Sequence, residues 1–310
     1  LSQLNATIGS SIRETMDRKL FWVMLGISTF IAILISTIGA GDDGIWLAGM
    51  FKMDFLAKSA SDPVWKNIAT VFVVDLILGH YLGGLCVLFA LIATVSSFTA
   101  DLESGRLDVV LSKPLSRTKI YLFRFISGTV FMVLQSVFFV AITFVIIGIR
   151  WRLWLWEYFW AIPLFVLLFS YLFSIACLLG TLVRSAPSAI LLTAISWIVI
   201  VLAQAGHAMV LVGDILGDSP WASAVTGTYW ALPKLSDITS ITRDLIQPGS
   251  DLAGVEKIRQ LLQFFGGPAT LTSDQVVELR INPFLSIGSS LGFVAAMLGL
   301  GVYRFSRQDY

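Results

Sequence analysis

The sequence predicts an all-helical integral membrane protein, and three observations carry that prediction. Of 310 residues, 56% are hydrophobic and 13% charged, with a mean hydropathy of +0.84; a soluble domain carries about 25% charged residues. Six long apolar runs contain no Asp, Glu, Lys or Arg, and each has the length of about 20 residues that a helix needs to cross a bilayer. None shows the short alternating pattern of a barrel strand, whereas a helix satisfies its own backbone groups in hydrocarbon.

The runs are Leu20–Gly41, Leu76–Ala100, Phe125–Ile149, Tyr158–Val183, Ser185–Gly213 and Ile281–Tyr303, together one transmembrane domain over 1–310. Ahead of the first, Ser11-Ile-Arg-Glu14 forms a capping-box pattern. Ile8, Ile12 and Met16 share one side, which predicts an N-terminal helix lying in the membrane interface. The first apolar run is long enough to stay in the bilayer, which argues against a cleaved signal peptide.

Orientation follows from the basic residues of the short connections. With the N-terminus inside, eleven Lys and Arg fall on the inner side (Arg13, Arg18, Lys19, Arg106, Lys113, Arg117, Lys119, Arg124, Arg184, Arg304, Arg307). Five fall outside: Lys52, Lys58, Lys66, Arg150 and Arg152. Both termini are therefore expected in the cytoplasm. Trp46, Trp65, Trp151, Trp154, Trp156, Trp160, Trp221 and Trp230 then all lie on the outer side, as an aromatic belt requires.

The connections differ in character. Asp42–Asp75 has mixed charge and is expected to hold some interfacial helix, and a tight inner turn around Arg184 and Pro187 joins spans four and five. The outer segment 214–280 is too apolar for a disordered linker. Leu235, Ile238, Ile241 and Leu245 predict an amphipathic helix after Pro233. Val255, Ile258, Leu261, Leu262 and Phe265 predict a second, stopped by Gly266-Gly267-Pro268, and Thr272 to Gln275 can cap a third.

Signs of chemistry within the chain are missing. It has no GxxxxGK[ST] loop, no GxGxxG and no HExxH. Cys86 and Cys177 lie inside apolar runs and read as small hydrophobes, and His80 and His207 lie near outer span ends. The chain is accordingly read as a non-enzyme with no cofactor or metal of its own, and its net charge of +1 gives no sign of a nucleic-acid partner. Asp75, at the outer edge of span two, is the one acid read as a transport-related candidate. Small residues Gly79 and Gly83 in span two, and Gly288, Gly292 and Ala296 in span six, suit close helix approach within the chain or between two chains.

Charge concentrates between spans two and three. Asp101 to Arg124, DLESGRLDVVLSKPLSRTKIYLFR, holds three acids and five bases in 24 positions. Leu102, Leu107, Val109 and Leu111 recur at roughly helical spacing, Pro114 stops that helix, and Ser116 is placed to cap the next.

This island resembles the cytoplasmic signature of type-2 ABC transporter permeases, bacterial exporter subunits. The family pattern is acid-x-Glu-x-Gly-x-Leu, then Leu-Ser-x-Pro-hydrophobic-Ser-Arg, then a base entering span three. Asp101, Glu103, Gly105, Leu107, Leu111, Ser112, Pro114, Ser116, Arg117 and Arg124 occupy those places. Asp101 departs from the commoner Glu, and Phe123 from a small residue. Looser likenesses are the six-span layout, the Leu232–Leu235 stretch Leu-Pro-Lys-Leu and the basic tail.

The resemblance implies a permease driven by separate ABC ATPase subunits, which would bind the ATP and Mg. It implies a coupling helix within 101–119 docking in a groove of the ATPase. Leu107 and Leu111 would be its apolar anchors, with Asp101, Glu103, Arg106 and Asp108 at its rim, Gly105 allowing close approach or a bend, Pro114 setting the exit angle, and Arg117 completing the coupling set. A second permease copy or a similar permease, multi-pass insertion in the bacterial cytoplasmic (inner) membrane and an apolar or amphiphilic cargo complete the expectation. Three other readings compete: an ion-coupled secondary transporter, a membrane-embedded enzyme, and a non-transporting membrane anchor or assembly subunit with a permease-like fold. The first wants ionisable residues at mid-membrane, and no span has one near its centre.

Overall fold

A computed structural model describes residues 19–41, 44–47, 51–53, 83–100, 116–151, 154–213, 220–246 and 282–307. Its long elements are helices: α1 (Lys19–Thr37), α2 (Val87–Ala100, entered by a π turn over 83–86), α3 (Arg117–Trp151), α4 (Ala161–Val183) and α5 (Ala186–Gly213). Two shorter helices follow, α6 (Pro220–Ala231) and α7 (Leu235–Ile246), and then α8 (Pro283–Arg307). Four segments are long and apolar enough to cross a membrane: Arg117–Ile149, Trp156–Val183, Ala186–Ala208 and Pro283–Arg307. The apolar helices Phe21–Thr37 and Gly83–Thr99 are shorter over the described residues.

Two expectations change here. The first run stays helical only to Thr37, and Ile38–Gly41 becomes β1 of a small antiparallel meander with β2 (Gly44–Leu47) and β3 (Phe51–Met53). Gly41 is registered with Gly44, the two-residue spacing of a hairpin, while most of 42–75, where some interfacial helix is expected, lies outside the described residues. Span three starts eight residues earlier than its apolar run, at Arg117. There Ser116 Oγ accepts from the Lys119 backbone N–H at 3.4 Å, the capping role its sequence position suggests. The turn between α4 and α5 is tight as expected. It closes with Arg184 in left-handed backbone (φ 54°), where a helix end more often has glycine.

The chain divides into two compact units, 1–93 with 126–166, and 94–125 with 167–310. In the first, α1 packs on α3 through an edge-on contact between Phe21 and Phe131. Gln135 of α3, fully buried, donates to Ser28 Oγ (2.5 Å) and to the Met24 carbonyl (3.3 Å) of α1. Apolar helices gain little by associating in lipid, so such interhelical hydrogen bonds help fix which faces meet. Farther along α3, the Thr143 hydroxyl pairs with the Tyr158 hydroxyl at 3.0 Å, and Phe144 is ringed by Trp154, Trp156 and Phe159.

In the second unit α4 is the core element, with Phe169, Tyr171, Leu172, Phe173, Ala176 and Cys177 buried. Gly180 lets α2 close on it: a Cβ there would sit 3.2 Å from the Thr99 methyl and 3.3 Å from the Phe98 ring. α8 buries a single stripe, Ser286, Ser290, Val294, Gly301 and Phe305, along its whole length. Those spacings keep to one helical face. Phe284, Leu285, Leu291, Leu300 and Tyr303 are exposed on α8.

Candidate functional site

The charged segment 101–115, with Asp101, Glu103, Gly105, Arg106, Leu107, Leu111 and Pro114, lies outside the described residues, as does Asp75. So do the expected interfacial helix before span one and the two later helices of the outer segment. What is described is the base from which the charged segment leaves and to which it returns. Phe98, in the last turn of α2, meets Tyr121, in the second turn of α3, edge to face at 5.6 Å. Tyr121 in turn lies against Phe305 at the end of α8, 5.9 Å between centroids. All three side chains are buried. Gly301 is required beside them, because a Cβ there would collide with the Tyr121 hydroxyl.

Arg117 is the member of the expected coupling set that the structure places. Its Nη1 donates to the Ser306 carbonyl at 3.2 Å. A cation on the last carbonyls of a helix suits both their hydrogen-bonding need and the negative end of the helix dipole. The first two turns of α3 are thereby tied to the last turn of α8 by one polar contact and one aromatic one.

A second cluster sits at the other end of α8, where α6 and α7 meet. α6 lies beside α5, with His207 of α5 stacked on Tyr229 of α6 at 3.9 Å and an interplanar angle of 7°. Pro233 then interrupts the helix and α7 begins. Gln204 of α5 holds that corner twice: its Nε2 donates to the Pro233 carbonyl (2.7 Å) and its Oε1 accepts from the Ser236 N–H (2.8 Å). The amphipathic helix expected after Pro233 is α7, with Leu235, Ile238 and Ile241 buried and Leu245 exposed.

Two ionisable side chains are buried at this corner, Lys234 at 1% exposure and Asp237 at 4%. The Asp237 carboxylate accepts from Ser286 Oγ (2.6 Å) and Tyr229 OH (3.0 Å) through Oδ2, and from Ser236 Oγ (3.4 Å) through Oδ1. Lys234 donates from its backbone N–H to Ser290 Oγ (3.0 Å) and from Nζ to Ser289 Oγ (2.5 Å). Its ammonium lies over the rings of Trp230 (4.2 Å) and Tyr229 (4.9 Å), a geometry that stabilises a cation taken out of water.

The electrostatics follow from burial. Desolvation pushes the Asp237 carboxyl above its ordinary range, against the opposing effects of the Ser286 and Tyr229 hydroxyls, the Lys234 charge and Ser236. Desolvation pushes the Lys234 amine down, with Asp237 opposing. The Tyr229 phenol is pushed up, first by burial and then by the neighbouring carboxylate. These groups satisfy one another and join α5, α6, α7 and α8 at a polar knot.

No motif marks this cluster in the sequence: Lys234 falls within Leu-Pro-Lys-Leu, and Asp237, Tyr229 and Gln204 belong to none of the patterns above. A readable signal existed: a Lys and an Asp three apart beside a proline, and serines at 286, 289 and 290 on one face of an otherwise apolar last span. Among the described residues no group of three or more His, Cys, Asp and Glu is placed to hold a metal.

Comparison with known proteins gives a match along nearly the whole chain: residues 8–310 fit the family described as ABC-2 family transporter protein. No curated protein matches the chain.

Proposed function

The chain belongs to the ABC-2 transporter family, and from that premise we propose that it is the permease subunit of an ATP-driven exporter. It is a multi-pass membrane protein, a non-catalytic membrane permease subunit by family. On our reading it has six spans with both termini in the cytoplasm of a bacterial cell, sits in the inner membrane, and works as a dimer with a second copy or a similar permease. Separate ATPase subunits bind ATP and Mg and grip the segment 101–119.

The observation that carries the coupling assignment is the base of that segment. Its two flanking helices are joined through Phe98 and Tyr121 and tied to α8 through Arg117. A charged segment on so firm a mounting transmits displacement into the helices rather than absorbing it. Leu107 and Leu111 supply the apolar anchors, Asp101, Glu103 and Arg106 the charged rim, Gly105 the close approach and Pro114 the exit angle. Replacing Leu107 and Leu111 by Asp is expected to abolish copurification with the partner ABC ATPase. Intact assembly with substrate-stimulated ATP turnover would overturn the assignment. Asp75 is retained as a possible transport residue, tested by Asp75→Asn in a transport assay.

One observation favours a second reading. Lys234 and Asp237 are buried ionisable groups, such as an ion-coupled carrier would use. Transport that persists without ATP and collapses with the proton gradient would select it. The cargo is proposed to be apolar or amphiphilic, and stimulation of ATP turnover by candidate cargoes tests it.

A further inference from the structure

α8 carries both of the clusters described above, at its two ends and on one face. Its buried stripe begins with Ser286 and Ser290 against Asp237 and Lys234, and finishes with Gly301 and Phe305 against Tyr121. From Ser286 to Ser306 the helix rises about 30 Å at 1.5 Å per residue, close to the hydrocarbon thickness of a bilayer. No proline interrupts it after Pro283. Packed interfaces of this kind shift between discrete arrangements rather than deforming continuously.

We propose that α8 is a strut that links the first turns of α3 mechanically to the Lys234–Asp237 corner, so that displacement of Arg117 and Tyr121 rearranges the α6–α7 junction at the far end. The contacts at both ends are short-range and geometrically demanding. At the near end, Tyr121 fills the space that a Gly301 side chain would need, so α8 cannot slide past α3 without separating from it. At the far end, Ser286 and Ser290 stand one turn apart and each hold one partner, so a slide of one turn in one direction would set the apolar Val294 against the Lys234 N–H, and in the other would take from Asp237 its serine donor. Leaving a buried charge or N–H unpaired is costly, and that cost forces the corner to follow. The inference rests on the proposed coupling role for its purpose. The linkage itself is a property of this chain alone.

The test is hydrogen–deuterium exchange on the full chain in lipid nanodiscs, followed in residues 235–242 and in residues 118–124. Arg117→Ala and Gly301→Ala are each expected to raise exchange in 235–242 by about 3- to 30-fold, the range of coupling free energies between linked sites. Coupling is reciprocal, so Ser290→Ala must raise exchange in 118–124. Arg117→Lys, which can still donate to the Ser306 carbonyl, restores the native rate at the far end, as does Tyr121→Leu combined with Gly301→Ala. Val137→Ala, a change at an exposed position of α3 in the first compact unit, leaves 235–242 unchanged. Changes confined to the mutated end would overturn the strut. With the ATPase added, loss of nucleotide-dependent exchange while this reciprocity holds would count against the coupling reading alone.

Discussion

Ser286 and Asp237 stand 49 residues apart in the chain and are joined by a 2.6 Å hydrogen bond in which the serine donates to a buried carboxylate. The acid lies in the first turn of α7, where the positive end of the helix dipole also favours it. Burial outweighs both and raises its pKa.

The sign of the resulting pH dependence is fixed. A carboxyl whose pKa is raised on folding binds more protons in the folded state, so its contribution is fully present below the ordinary Asp value of about 3.9 and is lost as pH rises through the folded pKa. The depressed Lys234 pKa acts in the opposite direction, and its window lies at and below the ordinary lysine value. As pH rises from the ordinary Asp value of about 3.9 through the raised folded pKa, the carboxyl governs. Thermal unfolding in nanodiscs should show the native chain losing stability relative to Asp237→Asn as pH rises through that window. Parallel curves would mean that Asp237 is solvated rather than buried.

Lys234 and Asp237 are expected to be strongly non-additive. Lys234→Met alone takes from the carboxylate the neighbouring charge that favours its ionised form, at about 1–3 kcal/mol for a buried charged group left less compensated. Lys234→Met with Asp237→Leu removes both charges and should fall within about 1 kcal/mol of the native chain, because replacing a buried pair by apolar groups is often neutral. Chemical denaturation of the four proteins closes the cycle. Additive effects would show that the two side chains do not sense one another.

What was legible in the sequence follows from what each signal measures. Apolar length and charge position describe the bilayer, and Ile126 to Ile149, Ala161 to Val183 and Ala186 to Gly213 emerged as helix because hydrocarbon leaves the backbone few choices. Ser116 and Pro233 were legible as a cap and a break because they act on adjacent backbone. The Lys234–Asp237 corner was legible only in part: a Lys and an Asp three apart beside Pro233 can be read locally, but its partners Gln204, Ser286 and Ser290 come from other spans and nothing local ties them to it. The β1–β3 meander was missed for a related reason. Four-residue strands are too short to show alternation, and Trp46 and Lys52, which pair in it, had been read as belt and charge markers.

Gln204 is predicted to hold the α6–α7 corner by both ends of its amide. Gln204→Leu strands the Pro233 carbonyl and the Ser236 N–H, at about 1–3 kcal/mol for each buried group left unpaired. Gln204→Glu keeps an acceptor for Ser236 but turns a negative oxygen towards the Pro233 carbonyl. Protonation restores the missing donor, so this variant should regain stability as pH falls. A Gln204→Glu protein with the native pH profile would place the amide elsewhere.

Gly148 and Trp154 give a prediction whose sign reverses with background. The indole lies across Gly148, and an added Cβ would come within 2.6–2.7 Å of three ring carbons. Trp154 is half exposed, so it can swing away, but it would then leave its edge contact with Phe144. Gly148→Ala should therefore cost about 1–3 kcal/mol, the usual scale for overpacking. In a Trp154→Ala background the obstruction is gone and only helix propensity remains, which favours Ala over Gly by about 1 kcal/mol. There the same substitution should stabilise. Unfolding of the four proteins in one lipid composition measures both steps, and destabilisation of similar size in the two backgrounds would show that Trp154 does not cover Gly148.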